Sequence, residues 1–141
     1  MTGDELDAAL AAEYAAIFGY DVVGAHLTGA EQDTARQAED AHRTRRDQLL
    51  LKLTAASASP PVADPAYALP FPVTNRASAL KLAAELEDGA ARAWHGAIGA
   101  TTGADRGFAA NALIDCAVRA THWRIRSGAK PTTLTFPGAE A

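Results

Sequence analysis

The stretch Ser59-Pro-Pro-Val-Ala-Asp-Pro-Ala-Tyr-Ala-Leu-Pro-Phe-Pro-Val73 holds five of the seven prolines in a chain of 141 residues. Each proline removes a backbone N–H and crowds the turn before it, so no helix can run through this segment. The sequence on either side is the opposite. Alanine makes up about a quarter of the chain, and with Leu, Glu and Arg it gives strong helix propensity almost everywhere. The proline stretch is therefore a connection between helices, and its reach decides which ends it joins. Fifteen residues at about 3.3 Å each span roughly 50 Å, whereas a helix of about 25 residues is roughly 38 Å long. The segment can cross a whole helical bundle. Tyr67 and Phe71 predict that it packs on the helices as an ordered strap, since a loose tether would be rich in Gly and Ser.

Local signals divide the rest into four helices. Thr2-Gly3-Asp4-Glu5 and Thr28-Gly29-Ala30-Glu31 both fit the capping box, in which a Thr hydroxyl accepts from a backbone N–H and the Glu three residues on returns to the cap. The first helix is expected from about 3 to Leu27 and the second from about 29 to Ser57. Asn75 can cap a third, about 76–100; Thr101-Thr102-Gly103 breaks it; a fourth runs about 104–127, with Arg124 and Arg126 against its negative end and Gly128 closing it. A tail of residues 128–141 follows. The connections near 28 and 102 are too short to cross a bundle, so helices one and two form one antiparallel hairpin and helices three and four another. Two hairpins joined by one long crossover, 59–73, make a single all-α domain, 1–141, with the connectivity of a ferritin-like four-helix bundle.

Composition excludes several classes. Net charge is −4 with a pI near 5.5, and the basic residues alternate with acids, so no nucleic-acid surface is expected. The opening MTGDELDAAL carries acids where a secretory signal carries Lys or Arg, and apolar runs are broken short of a membrane span, so no membrane association is expected. The single Cys116 cannot form an internal disulfide and reads as a small buried residue, which suits a reducing, cytoplasmic location. Ala8, Ala11, Ala12 and Ala15 exceed what one core stripe needs, so helix one is expected to pack on a second copy in a homodimer.

Polar residues stand on the inward stripes. Leu6, Leu10, Glu13, Ile17, Tyr20, Gly24 and Leu27 share a face of helix one. Helix two offers Gln32, Ala35, Glu39, His42, Arg46, Leu49 and Leu53; helix three Leu80, Ala83, Glu87, Ala90, Trp94 and Ala97; helix four Phe108, Ala112, Asp115, Arg119 and His122. Counted from the turns, Glu13, Glu39 and His42 agree in height within roughly 6 Å, and Glu87 meets Asp115 and Arg119 in the same way. Glu39-x-x-His42 is the pattern that aims a carboxylate and an imidazole at one metal ion in dinuclear bundle proteins, which take a Glu from each of two helices and Glu-x-x-His from each of the other two. Glu13, Glu39, His42, Glu87 and His122 are the candidate metal ligands.

Glu13 with Tyr14 and Tyr20, AEDAHRTRRD (38–47), AYALPFPV (66–73), LAAELEDGA (82–90), VRATHWR (118–124) and the terminal FPG (136–138), in this order, resemble the ferritin-like domains of unknown function found chiefly in actinobacteria. The resemblance covers nearly the whole chain. It implies a four-helix ferritin-like bundle, dimeric, with no established reaction.

The metal pattern is interrupted at one place. Helix four has Arg119-Ala-Thr-His122 where a second Glu-x-x-His would stand, and a guanidinium cannot ligate a metal. Arg119, helped by Arg46, is expected to supply the positive charge that metal ions supply elsewhere, because carboxylates in a bundle core must be paired. The bland alternatives are a solvated Glu39/His42 face, an intrahelical Asp115–Arg119 pair, surface positions for His26 and His95, a carbonyl partner for the Trp94 N–H and a Trp123 that closes the bundle end against the tail. A non-catalytic domain acting through self-association or a protein partner, with no cofactor, is the leading expectation. An iron- or manganese-binding protein or oxidoreductase using Glu13, Glu39, His42 and Glu87 is the alternative, and a small-molecule binder beside Tyr14, Tyr20 and Trp94 a third.

Overall fold

The computed structural model describes residues 3–56 and 58–139; Thr2 of the first expected cap and Ser57 at the expected end of helix two lie outside them. The helices are α1 (Gly3–Ala25), α2 (Gly29–Ala55), α3 (Arg76–Ala100) and α4 (Gly103–Ser127), and no strand occurs among the described residues. They form a four-helix bundle. α1 packs on both α2 and α3, and α3 packs on α4. α1 and α3 are antiparallel, since Glu13 meets Trp94 while Tyr20, seven residues later, meets Glu87, seven residues earlier.

The caps explain where helices begin. Asn75 accepts from the Ser78 N–H and the Ser78 hydroxyl accepts from the Asn75 N–H, a reciprocal cap that stops the proline segment and starts α3. Thr28 stands at the N-cap of α2 but makes no side-chain cap bond, contrary to the expected box. Glu31 is drawn away instead, because the Arg76 guanidinium grips both its oxygens at 2.7 and 2.8 Å. α4 ends on Gly128 in the left-handed conformation.

The crossover runs the length of α1. Near one end the Tyr14 hydroxyl donates to the Pro61 carbonyl; further along, Phe18 and Tyr67 meet ring to ring at 5.6 Å; at the far end Phe71 lies under the Lys81 ammonium. Tyr14 and Phe18, one turn apart, are the α1 residues that seat this strap. Ala8 and Ala11 stay exposed. α1 is also, among the described residues, the helix whose length and hydropathy would span a membrane; here it is a core helix that buries Glu13 at its middle.

The core is two apolar clusters. One gathers Leu6, Leu10, Leu49, Leu53 and Trp94; the other Tyr20, Val23, Leu80, Leu82 and Trp123. Trp123 is thus a core residue and does not close the bundle end against the tail. The tail is fastened through Gly138, whose φ is +79° and whose absent Cβ would stand 2.5 Å from the Ala91 carbonyl. Gly138→Ala is therefore expected to lower stability by about 1–3 kcal/mol, through strain and loss of this close approach. Thermal melts of the two proteins check it, and an unchanged melting temperature would show that the tail does not depend on this seat.

Candidate functional site

Between the two apolar clusters lies a polar layer to which every helix contributes. α1 brings Glu13 and Tyr20, α2 His42 and Arg45, α3 Glu87 and Trp94, α4 Cys116 and Trp123. His42 is the hub: its Nδ1 lies 2.5 Å from Glu13 Oε2 and its Nε2 2.9 Å from Glu87 Oε1. All three side chains are 0% exposed. The Trp94 indole N–H donates to Glu13 Oε1 at 2.7 Å, the Tyr20 hydroxyl to Glu87 Oε1 at 2.6 Å and the Trp123 indole N–H to the Tyr20 oxygen at 2.9 Å. Arg45 enters from the α2–α4 side. Its guanidinium stands 3.5 Å from Glu13 Oε1 and 3.6 Å from Cys116 Sγ, and pairs with Asp115.

Burial opposes charge on His42, yet the carboxylates of Glu87 and Glu13 on either side overcome it and raise the pKa to about 9. The ring is an imidazolium at neutral pH, with both N–H groups donating. For Glu13 burial also pushes the pKa up, but the His42 bond and charge, with Arg45 and Trp94, bring it below the ordinary carboxylate range. Burial and then the Glu87 charge hold the Tyr20 hydroxyl and the Cys116 thiol well above their usual values, so both keep their protons. Two cations, His42 and Arg45, thus offset two anions, Glu13 and Glu87. Glu87 Oε2 is the buried side-chain oxygen among the described residues that accepts no hydrogen bond.

Of the expected ligands, Glu13, His42 and Glu87 converge and the other two do not. Glu39 is buried as its stripe predicts, but its carboxylate pairs with Arg43 at 3.0 Å, and burial and the neighbouring Asp21 raise its pKa. His122 is exposed, in a surface groove with Thr34, Ile125 and Arg126. The reason is the rotation of α4: its buried residues are Ala109, Ala112, Cys116, Ala120 and Trp123, one position around from the expected stripe at Asp115, Arg119 and His122. Arg119 consequently pairs with Asp115 and does not neutralise the core carboxylates. Arg46 is likewise turned to Asp47, and its neighbour Arg45 takes the inner position. The Trp94 N–H finds the Glu13 carboxylate where a carbonyl was expected. Trp123, Arg45 and Cys116 are the members of the layer that pattern reading did not assign to a site; Tyr20 and Trp94, expected beside a small-molecule pocket, are hydrogen-bonded to Glu87 and Glu13.

The dinuclear iron or manganese centre does not fit this arrangement. With Glu39 and His122 elsewhere, the converging set of expected ligands has two carboxylates and one imidazole, short of the four carboxylates and two imidazoles of a dinuclear centre.

A four-helix bundle with a charge-balanced polar layer is the class that the fold and the site define. The chain belongs to the family described as a domain of unknown function, DUF4439, whose model matches residues 5–141. It is similar to a conserved hypothetical protein, rv2844, from Mycobacterium tuberculosis, whose crystal structure superposes with a TM-score of 0.84 at 37% sequence identity, over 86% of this chain and 93% of that one. No curated protein matches the sequence.

Two measurements probe the layer. His42 titrates near 6.5 when unfolded and about 9 when folded, so its contribution is complete below 6.5 and is lost as pH rises through 9. Glu13, lowered from 4.5, contributes above that value and loses its contribution as the solution is acidified. Chelator-treated protein should therefore lose a few kcal/mol relative to His42→Gln on going from pH 6.5 to 9. Parallel stability curves over that window would show that the ring is neutral. Second, Arg45→Ala is expected to cost on the order of 3 kcal/mol, because it leaves Glu13 and Asp115 short of a cation, while Arg119→Ala costs under about 1 kcal/mol. Urea titrations giving the reverse order would put Arg119 back in the core role.

Proposed function

We propose that this is a non-catalytic ferritin-like domain that acts by self-association, its central polar layer serving as an internal charge clasp. The observation that carries this reading is His42. Both ring nitrogens are held by carboxylates, and the ring has no exposed surface, so no face of it is left to meet a substrate. Glu39, paired with Arg43 and outside the converging set, leaves the iron or manganese alternative a ligand short.

The face for association is on α4. Ile114, Val118 and Ile125 share one side of the helix at 60%, 49% and 59% exposure, and Leu134 and Phe136 of the tail are also exposed. Beside them a cleft of about 370 Å³ opens between α4 and the tail, lined by Val118, His122, Leu134 and Pro137. Exposed large apolar residues on one side of a helix beside an apolar cleft are the kind of surface that marks a protein–protein contact. A two-fold axis across α4 would lay this surface on itself, whereas α1, first expected to do this, carries the crossover. A cytoplasmic setting suits the free thiol of Cys116.

Light scattering at high micromolar concentration should return the mass of a dimer for the wild type and of a monomer for Val118→Asp, with equal helical content by circular dichroism. A monomeric wild type would overturn self-association. A dimeric Val118→Asp would move the interface away from α4.

A further inference from the structure

One side of the polar layer, where the His42–Glu87 bond of the charge clasp meets Cys116, has a carboxylate oxygen left over. A Glu87 carboxylate oxygen, a His42 ring nitrogen and Cys116 Sγ lie within 4.8 Å of one another, and all three residues are buried. Nδ1 of His42 is taken by Glu13, so Nε2 is the nitrogen on this side. Glu87 Oε2 is buried without a hydrogen-bond partner, the kind of orphaned oxygen that an unplaced ion explains. We propose that Glu87, His42 Nε2 and Cys116 Sγ bind one borderline-soft divalent cation of the zinc or cobalt type, which takes the place of the His42 Nε2–Glu87 hydrogen bond.

The donor set has the right chemistry. A thiolate, an imidazole and a carboxylate are the ligands zinc takes, and the sulfur selects against the hard, all-oxygen preference of magnesium or calcium. The surroundings are those of a metal-bound imidazole: Glu13 accepts from the Nδ1–H and fixes the tautomer that presents Nε2, while Trp94 and Arg45 hold Glu13 in turn. The exchange is also balanced in charge. The ion enters as the imidazolium and the thiol each release a proton, so two positive charges replace two protons and the buried layer keeps its net charge. Arg45, at 12% side-chain exposure the member nearest solvent, marks the way in and stands 3.6 Å from the sulfur that becomes a thiolate. The proposal is independent of association through α4, which involves none of these residues.

The test is titration of chelator-stripped protein with Co2+ and then Zn2+ near neutral pH. One ion per chain is expected, with a thiolate-to-cobalt charge-transfer band and the visible bands of a tetrahedral ion, two protons released, displacement by Zn2+ and a higher melting temperature with either metal. Cys116→Ser should lose the charge-transfer band while staying folded. Glu13→Gln, which leaves all three ligands in place but alters the group behind His42 Nδ1, should keep the band and weaken binding by about 10–100-fold. Binding without the thiolate band, equal affinity in Cys116→Ser, or no binding of either metal would each overturn the site and leave the Cys116 thiol as a simple neighbour of Glu87.

Discussion

The imidazolium of His42, clasped by Glu13 on one ring nitrogen and Glu87 on the other, ties three of the four helices together at one point. Arg45, through Asp115 and Cys116, ties in the fourth. A buried network of this sort is a poor source of net stability, because taking each ion out of water costs about what the pairing returns. Its effect is on register. Helices lined with alanine lack the large knobs that usually stop one helix sliding on another, and a slip of one turn, about 5.4 Å, would leave at least one of these four charges buried without its counterpart. Alternative packings of the same alanine faces are thereby made expensive, and one arrangement survives.

The aromatic residues make the clasp possible. Trp94 and Trp123 fill much of the volume that alanine leaves empty, and each turns its single N–H toward the polar layer, onto Glu13 and onto Tyr20. Tyr20 relays that bond to Glu87 and stacks on His42 at 5.7 Å. The layer is capped above and below by the two apolar clusters, which keep water from competing for the carboxylates. Packing and hydrogen bonding are supplied by the same side chains, so a truncation of either tryptophan would remove both at once.

The architecture was legible because its signals are covalent or periodic. Prolines cannot be helical, fifteen extended residues outreach a helix, and α3 places Leu80, Ala83, Glu87, Ala90, Trp94 and Ala97 at unambiguous spacings, all of them buried. The phase of α4 is hidden in its sequence for a physical reason. Alanines at 109, 110, 112, 117 and 120 surround the helix and give almost no phase, so Phe108 set it. Phe108 is only partly buried, meeting Trp94 edge-on under the Lys52 ammonium, and the true phase is marked by Cys116 and Trp123, seven residues apart. The Phe108 phase turns Arg119 and His122 inward, whereas Cys116 is buried as expected but as a member of the true stripe. On α2 the exchange of Arg46 for Arg45 was invisible to periodicity, since two long adjacent side chains can each bend toward the same partner and only the neighbouring helix decides between them.

Charge also runs outward from the clasp. Glu13 is fully buried, Arg45 is 12% exposed, Asp115 36% and Arg119 26%, so the paired sequence Glu13–Arg45–Asp115–Arg119, of alternating sign, leads from the centre to the surface along the α2–α4 side. Salt and solvent act on its outer links, where pairing is worth little, and leave the inner links at nearly full strength. The Asp115–Arg119 pair is therefore the replaceable end, because Arg45 retains Glu13 as a partner whatever happens at the surface. The crossover lies along α1 and the tail fastens on α3 and α4, so neither covers this side; the approach to the polar layer is guarded by a guanidinium, a group that can swing aside without unfolding a helix.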